Sequence, residues 1–455
     1  MRRERASTRF HVVAHALAVV TVTRPILARA ADDVVAVDAA TERELASETR
    51  LTTILRVIGE RNPDLLEASE RAGAADARVA AAARLPDPEL KGELWGAPLA
   101  HPIAFDRAQT IMIGLRQSFP AWGSLDAKER AAREEAASAN DDIEAKRQDV
   151  AAQARRAFAA YARADREYRI HLEHVGLTSR IVEIARSLYQ VGHGSQQDLL
   201  QAEAELSRLH VDVAGIEQQR RSAEALLNAL MDRAPDAPLG PAPDVSPADL
   251  LRKETPKASD LDAALDQQRP ELRAAARAVR RSAATLDATK READLPMLAV
   301  GADYWYMPMF TTHHAYGAMV SMSLPWLNPR RRDEVEAAER TSAAERSALR
   351  AQRAAARFQL HDADAKVGAA RETLTLIHER VLPDARRSFE SSQAAFQSGH
   401  GDVTPVLEAG HTYLQTRIDE IRAVADLETS EADYARAAGL PIAGMTAGPS
   451  MERQR

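Results

Sequence analysis

The chain has 455 residues, of which 45% are hydrophobic but only 4% aromatic, and it contains no cysteine. The absence of cysteine excludes disulfides, thiolate nucleophiles, cysteine-based zinc sites and a lipid attached through an N-terminal cysteine. The formal net charge is −7 with acidic and basic residues interspersed, so no nucleic-acid partner is expected.

The N-terminal segment has the pattern of an export signal. Arg2, Arg3, Arg5 and Arg9 precede an apolar run, and Ala28-Arg29-Ala30 provides a small-residue cleavage site. We therefore predict a signal peptide over residues 1–30, with a disordered basic tail as the alternative. No later window approaches the roughly 18 consecutive apolar residues that a membrane helix requires.

Two pairs of segments show that the rest of the chain is duplicated. Asn62-Pro63-Asp64-Leu65 returns as Arg269-Pro270-Glu271-Leu272, and Tyr189-Gln190-Val191-Gly192-His193-Gly194 returns as Phe396-Gln397-Ser398-Gly399-His400-Gly401. Both pairs are 207 residues apart (270 − 63 and 399 − 192), which is too long for a solenoid unit and indicates a duplicated half-molecule. The predicted domains are a first repeat over 43–231, a proline-rich linker over 232–260, a second repeat over 261–438 and a disordered tail over 439–455.

The first repeat is predicted to contain a helix, two strands and a long helical hairpin. The patterns favour a helix over 43–84 and strands over 89–99 and 109–120. Proline is absent from 124 to 230, so one helix is expected to run from about Ser124 to the Gly192 region, which would span about 100 Å at about 1.5 Å per residue. The glycine pair supplies a tight reversal, and a second helix returns from near Ser195 or Asp198.

The second repeat is predicted to replay this order. We expect a helix over 261–293, strands over 297–308 and 315–326, and a long helix from Arg332 that ends in a reversal and a closing helix to about Ala438. Pro383 stands in that long helix where Gly176 stands in its counterpart. Two helix-weakening residues at matched positions predict a shared kink or bulge.

Four strands of about ten residues are long enough to cross a bilayer when tilted. An open sheet edge is not tolerated in lipid, because every unpaired amide or carbonyl group there costs several kcal/mol. The chain must therefore either oligomerise into a closed barrel or keep its sheet in water. Three chains would supply twelve strands.

These motifs, in this order and duplicated at one offset, resemble the TolC-like outer-membrane efflux channel family. The resemblance covers nearly all of the chain after the signal, and it rests on the strand terminators Phe119-Pro120 and Leu324-Pro325, on Arg269-Pro270-Glu271-Leu272, on Tyr189 and Gly192 followed by Asp198-Leu199-Leu200, and on Val406-Leu407-Glu408-Ala409. It implies a mainly α protein with a small β part, in which long antiparallel helical hairpins form an α-barrel. Four strands per chain would contribute to a trimeric, 12-stranded transmembrane β-barrel.

The family further implies a passive exit duct for small toxic compounds or metal cations. Such a protein is the outer-membrane component of a tripartite efflux pump in a Gram-negative bacterium. Its partners are two sibling copies in a homotrimer, outer-membrane lipid, a periplasmic adaptor of the membrane fusion type and an inner-membrane pump. Its helical extension lies in the periplasm. Within the family, a type I secretion exit channel is the alternative.

A soluble periplasmic coiled-coil adaptor or interaction protein is the other alternative. Adaptors usually have one hairpin flanked by small β domains, whereas this chain has two hairpins, each preceded by a strand pair. An enzyme is not indicated, since no nucleophile elbow, phosphate-binding glycine loop, zincin helix or dinucleotide fingerprint is present. No cofactor is predicted.

Two acidic residues are candidates for the pore constriction. The resemblance places Glu408 among carboxylates that ring the periplasmic end of the tunnel, and a solvated helix residue is the alternative. Asp198 is the second candidate, with a helix-capping role as its alternative. Pro405 departs from the family pattern where another acidic residue is usual, as does Gly401 where a gating arginine can occur.

The glycine turns are the predicted periplasmic tips and adaptor contacts. They comprise two sets of three residues: Gly192, His193 and Gly194, and Gly399, His400 and Gly401. In a trimer the two histidines would place six imidazoles around the tip, where they would sense pH, contact metal ions in transit or contact the adaptor.

Methionine and histidine residues concentrate in the second strand pair. Thioethers and imidazoles suit copper or silver ions, so four residues are weak metal candidates: Met307, Met309, His313 and His314. The alternative is that the methionines face lipid or the core of the sheet. His171 and His174 are three positions apart on a predicted helix and lack a third ligand, so they are expected at the surface.

Overall fold

The computed structural model describes residues 38–96, 108–308, 310–398 and 402–441. The predicted signal peptide, Met309, the turn over 399–401 and most of the predicted tail lie outside the described residues. Those described from Ala40 onward belong to one compact unit.

The first repeat begins with three helices where the sequence predicted one over 43–84. They are α1 (Ala39–Ser47), α2 (Leu51–Arg61) and α3 (Pro63–Ala82). Asn62 ends α2 because it is extended, at φ −57° and ψ 123°, as residues before proline usually are. Its side chain then accepts hydrogen bonds from the first-turn N–H groups of α3, and Pro63 fits the first helical position. The Asn-Pro pair that marks the repeat is thus also a helix boundary.

The four strands form one antiparallel sheet in the order β1-β2-β3-β4. Their bounds are Glu89–Trp95, Thr110–Phe119, Leu298–Tyr306 and His314–Met322. The central pairing of β2 with β3 joins the repeats, with Ile111 opposite Tyr306 and Phe119 opposite Leu298. Predicted strand residues 323–326 lie outside β4, because Pro325 begins a 3-10 turn over Pro325–Leu327. Within the described residues, β1 and β4 are the two edges of the sheet.

The first hairpin consists of α4 (Ser124–Gln190) and α5 (Gln196–Leu230). α4 is a continuous helix of 67 residues. The structure differs from the prediction at Gly176, which lies inside the helix without interrupting it. The turn uses Gly192 at φ +75°, a conformation that glycine adopts without strain.

The linker contains two short helices, although no regular helix was predicted over 232–260. These are α6 (Pro247–Arg252) and α7 (Ala258–Leu261). The predicted helix over 261–293 is also divided, into α8 (Leu265–Gln268) and α9 (Pro270–Asp294). The cause is the same as in the first repeat, because Arg269 is extended before Pro270.

The second hairpin consists of α10 (Arg330–Leu376), a π-helical segment (Ile377–Val381), α11 (Leu382–Gln397) and α12 (Val403–Ala438). The π-helical segment ends two residues before Pro383, so the helix is irregular where that proline predicted a kink or bulge. A π-helical turn inserts one extra residue into an α-helix and commonly marks a functional position.

Apolar clusters hold the helices together along the hairpins. One cluster joins α10 and α12 through Leu360, Leu374 and Leu427. Near the turns, Ile181 and Val182 of α4 pack with Phe389, Phe396 and Val403. Within the described residues, no helix combines the length and apolar character needed to cross a membrane.

Candidate functional site

The sheet exposes large apolar side chains in the single chain. Leu90, Ile113, Leu115, Tyr316 and Val320 are all exposed, and Tyr316 is 83% exposed. Contiguous apolar surface of this kind marks contact with a membrane or another protein. Both hairpins leave from the end of the sheet where β2 and β4 terminate.

Aromatic side chains lie at the other end of β3 and β4. The ring of Tyr304 is 5.4 Å from Tyr316 and 5.9 Å from His314, centroid to centroid. Trp95, at the same end of the sheet, is exposed. Trp326 is also exposed and follows β4 at the opposite end, from which the hairpins leave. Tyrosine and tryptophan at strand ends match the interfacial girdles of membrane barrels.

The two histidines among the weak metal candidates contact neighbouring groups. The Tyr304 hydroxyl oxygen and His314 Nδ1 are 2.5 Å apart, and His313 Nδ1 is 3.3 Å from the Met307 carbonyl oxygen. Met309 lies outside the described residues. Among those described, no three histidine, aspartate or glutamate side chains are grouped to hold a metal ion.

The first glycine turn is fixed by backbone hydrogen bonds. The N–H groups of His193 and Gly194 donate to the Leu188 carbonyl, at 2.9 and 3.0 Å, and so satisfy the end of α4. His193 itself is exposed. The second turn, with Gly399, His400 and Gly401, lies outside the described residues.

Asp198 stabilises the start of α5. Its N–H donates to Ser195 Oγ at 3.1 Å, and the Ser195 N–H donates back to Asp198 Oδ2 at 3.1 Å. This reciprocal arrangement is a capping box, in which each side chain satisfies an orphan backbone donor. Asp198 therefore has the helix-capping role that was the alternative prediction. Its role at a pore constriction stays a prediction.

Glu408 lies in the second turn of α12 and is exposed. Its backbone carbonyl accepts a hydrogen bond from Thr412 Oγ1 at 2.9 Å. In the described part of the chain its carboxylate forms no ion pair, so the charge is available to a ligand or to a symmetry-related copy.

His171 and His174 are buried, and the expectation that they lie at the surface is wrong. They are 5% and 8% exposed, and His171 Nδ1 is 2.8 Å from the Glu167 carbonyl oxygen. Burial lowers the pKa of His174 to about 4, with further lowering by His171, His411 and Arg417. Their spacing placed them on one helix face, but the sequence did not show that α12 covers that face.

A ladder of ion pairs between α4 and α9 was not anticipated from the sequence. Lys128 Nζ contacts Glu292 at 2.6 Å, and Asp141 bonds both Arg273, at 2.8 Å, and Arg277, at 2.6 Å. In the sequence, the only sign of these ion pairs was that acidic and basic residues are interspersed. Which charged residues of α4 face which of α9 depends on how two helices distant in sequence pack together.

The fold and these surfaces define the class to which the chain belongs. The family model for the outer membrane efflux protein matches residues 55–232 and 262–440. The chain belongs to this family, and the resemblance drawn from its motifs is confirmed. No curated protein sequence matches it significantly.

Solved structures of outer-membrane channels share the fold. The Campylobacter jejuni CmeC channel is 15% identical, with a TM-score of 0.72 over 86% of this chain and 85% of that one. VceC from Vibrio cholerae is 17% identical, with a TM-score of 0.71 over 86% of this chain and 96% of that one. CusC is 17% identical, with a TM-score of 0.74 over 87% and 94%. The predicted fold class, mainly helical with a small sheet and long hairpins, is confirmed.

Proposed function

We propose that this chain forms, as a homotrimer, the passive outer-membrane exit duct of a tripartite efflux pump. The observation that carries the proposal is the four-stranded sheet, which combines exposed apolar side chains with two edges that are open among the described residues. In lipid these edges must pair. Pairing β4 of one copy with β1 of the next closes a barrel, and three copies give twelve strands.

The long hairpins extend this barrel into the periplasm. At about 1.5 Å per residue, α4 alone is about 100 Å long, which no sheet of this size needs for its own stability. The repeats over 43–231 and 261–438 each contribute one hairpin, so a trimer has six hairpins around its axis. Their tips, at Gly192 to Gly194 and Gly399 to Gly401, would contact a periplasmic adaptor served by an inner-membrane pump.

Glu408 would provide charge selectivity near these tips. Three symmetry-related carboxylates converging on a narrow tunnel repel one another and attract cations. The cargo class that this favours is cationic, either small toxic compounds or metal ions, and the duct itself needs no energy source.

Membrane fractionation and planar bilayer recordings test this proposal. We expect the protein in the outer membrane and, after purification in detergent, a stable ionic conductance with cation preference. Recovery in the soluble periplasmic fraction together with silent bilayers would contradict it and would favour the adaptor alternative.

A further inference from the structure

The two repeats are not equally covered within one chain. α3 and α9 occupy equivalent places, since each begins at the repeated proline, Pro63 or Pro270. α9 packs along both α4 and α10, whereas α3 packs along α4 and makes no comparable contact with α10 in the described part of the chain. α10 therefore lacks a neighbour that its counterpart α4 has.

The register between α4 and α10 follows from their buried positions. Before the π-helical segment, buried residues of α10 match buried residues of α4 located 206 positions earlier: Ala356 with Val150, Leu360 with Ala154, and Ala363 with Ala157. After it, the offset is 207, as for Ala385 with Thr178 and Phe389 with Val182. The π-helical turn inserts one residue, which accounts for the change.

This register reveals one face of α10 that is exposed where α4 is covered. The face, called here the α10 stripe, has four exposed members at helical spacing: Ser347, Ala351, Ala354 and Phe358. Their four counterparts on α4 are all buried: Asp141, Ala145, Gln148 and Ala152. Phe358 is 70% exposed.

Two elements cover the matching face of α4. Arg273 of α9 donates to Asp141 at 2.8 Å, and Arg436, near the end of α12, donates to Gln148 at 3.4 Å. By the repeat relation, the equivalents of α9 and α12 are α3 and α5. In this chain α3 and α5 already lie against α4, so they do not cover the α10 stripe of the same molecule.

We propose that the α10 stripe is covered by α3 and α5 of a second copy of this chain, as α9 and α12 cover α4 within one chain. The inference rests on the proposed homotrimer, but it commits to particular contacts that the trimer alone does not specify.

Charge complementarity supports the contact with α3. Within the chain, Arg277 of α9 is 3.7 Å from Glu134 of α4. The equivalent positions are Glu70 on α3 and Arg340 on α10, which is the same pair with the charges exchanged. The Arg340 side chain is 83% exposed, and its ion pair in the described part of the chain is with Glu336 at 3.5 Å.

The wider charge balance of the two helices agrees. Between 340 and 357, α10 carries five arginines and one glutamate: Arg340, Arg346, Arg350, Arg353, Arg357 and Glu345. α3 carries four acids and two arginines: Asp64, Glu67, Glu70, Asp76, Arg71 and Arg78. Opposite net charges at an interface steer association and fix its register.

Side-chain volumes support the contact with α5. Within the chain, small Ala152 shares a cleft with Ala432 and the large Arg436. The equivalent site has large Phe358 facing Ala225 and Ala229, which leave room for its ring. Such exchange of large and small partners preserves packing density across an interface.

The face of α5 that carries Val211 is exposed, although the equivalent face of α12 is buried. Val211 is 72% exposed, whereas its counterpart Ile418 on α12 is 4% exposed and packs with Ile170 of α4. With the offset of 206 that holds before the π-helical segment, the repeat relation places Val211 against Leu376 of a second copy, which ends α10 and is 44% exposed.

Engineered cysteine pairs test these contacts, because the chain has no cysteine of its own. The double variant Phe358→Cys/Ala229→Cys is oxidised in outer membranes and run on a non-reducing gel. We expect covalently linked species up to three chains, and single chains from each separate variant. In the matched control, Ala152→Cys/Arg436→Cys, we expect the disulfide to form within one chain. The two thiols should then no longer react with maleimide, and no larger species should appear.

Charge reversal provides a second readout. Arg340→Glu and Glu70→Arg should each lower the temperature at which the detergent-solubilised trimer dissociates, and their combination should restore it. Absence of cross-links in a trimer that still conducts, with the control pair closed, would overturn this inference and leave the proposed duct intact. A monomer without conductance would overturn both.

Discussion

His174 is a neutral imidazole held inside the bundle of α4, α5 and α12. Its side chain faces Gly410 of α12, with His411 and Arg417 on α12 and His171 on its own helix as the nearby charged or titratable groups. Burial holds its pKa at about 4, below the ordinary histidine value of 6.5. The unfolded chain therefore binds this proton more tightly than the folded chain, and folding is stabilised most above pH 6.5.

As pH falls from 6.5 towards 4, this stabilisation is lost. Its size is about 3 kcal/mol, from the difference between the two pKa values at about 1.4 kcal/mol per unit. His174→Gln removes the titration while keeping a polar side chain, so its free energy of unfolding should vary less over this range than that of the wild type. Urea denaturation at pH 7 and pH 5 measures the difference, with the exposed His193→Gln as control. A variant with the wild-type pH slope would show that His174 does not carry the effect.

Ser195 holds the start of α5 through its capping box with Asp198. Ser195→Ala should lower stability by about 1 kcal/mol, as loss of an N-cap side chain typically does. Ser207→Ala is the matched control, because Ser207 lies within the same helix and bonds only the carbonyl of the preceding turn, at 2.9 Å. Thermal unfolding that shifts equally in both variants would contradict the capping role.

Substitution of Glu408 tests whether this residue lines the pore or lies on a solvated surface. If three Glu408 carboxylates ring the constriction, Glu408→Gln should reduce the preference for cations in planar bilayers, with little change in stability because the residue is exposed. Glu390→Gln on α11, whose carboxylate pairs with Arg386 at 2.7 Å, is the control. Unchanged cation preference in Glu408→Gln would remove it from the constriction.

Among the helices, the π-helical segment is the clearest difference between the repeats. Pro383 lacks an N–H group, so the helix before it loses one hydrogen bond and accommodates an inserted residue. Gly176 keeps its N–H group, and a β-carbon there would meet nothing within 4 Å. Its cost of about 1 kcal/mol relative to alanine is outweighed by the packing of α4 along its length.

Deleting one residue should therefore be tolerated in one hairpin and not in the other. Removal of exposed Glu379 from the π-helical segment converts it to regular α-helix and keeps α11 in register with α12. Removal of exposed Glu173 from α4 rotates the remaining helix by about 100°, which moves the apolar residues packed near the turn out of their cluster. Circular dichroism melting curves should show a large loss only for the Glu173 deletion, and equal losses would contradict the insertion model.

Much of this architecture is predictable because long helices and strand pairs leave local signals. The absence of proline predicted α4 from Ser124 to the glycine turn, and alternation predicted β2 within a residue or two. The boundaries at Asn62 and Arg269 were missed because helical periodicity continues across the prolines. The burial of His174 and the exposure of Phe358 could not be predicted from the sequence. Both depend on which helix, distant in sequence, covers the face of α4 or α10 that carries the residue.

On the scale of the whole protein, a single chain exposes three surfaces that pairing or packing with another copy would bury. In the part of the chain that the structure describes, the sheet ends in open edges at β1 and β4, its apolar side chains are exposed, and the α10 stripe lacks the cover that its counterpart on α4 has. The proposed cyclic assembly would complete all three at once, because each copy would supply the next with a strand edge and with α3 and α5. Closed symmetry of this kind is the common state of soluble homo-oligomers.

The most direct test of this account is the stoichiometry of the detergent-solubilised protein. Light scattering coupled to size exclusion, or native mass spectrometry, determines the number of 49.7 kDa chains in the particle, less any cleaved signal. Three chains per particle is the predicted result, retained after the detergent is exchanged. A monodisperse, folded monomer would contradict the closed barrel and, with it, the proposed exit duct.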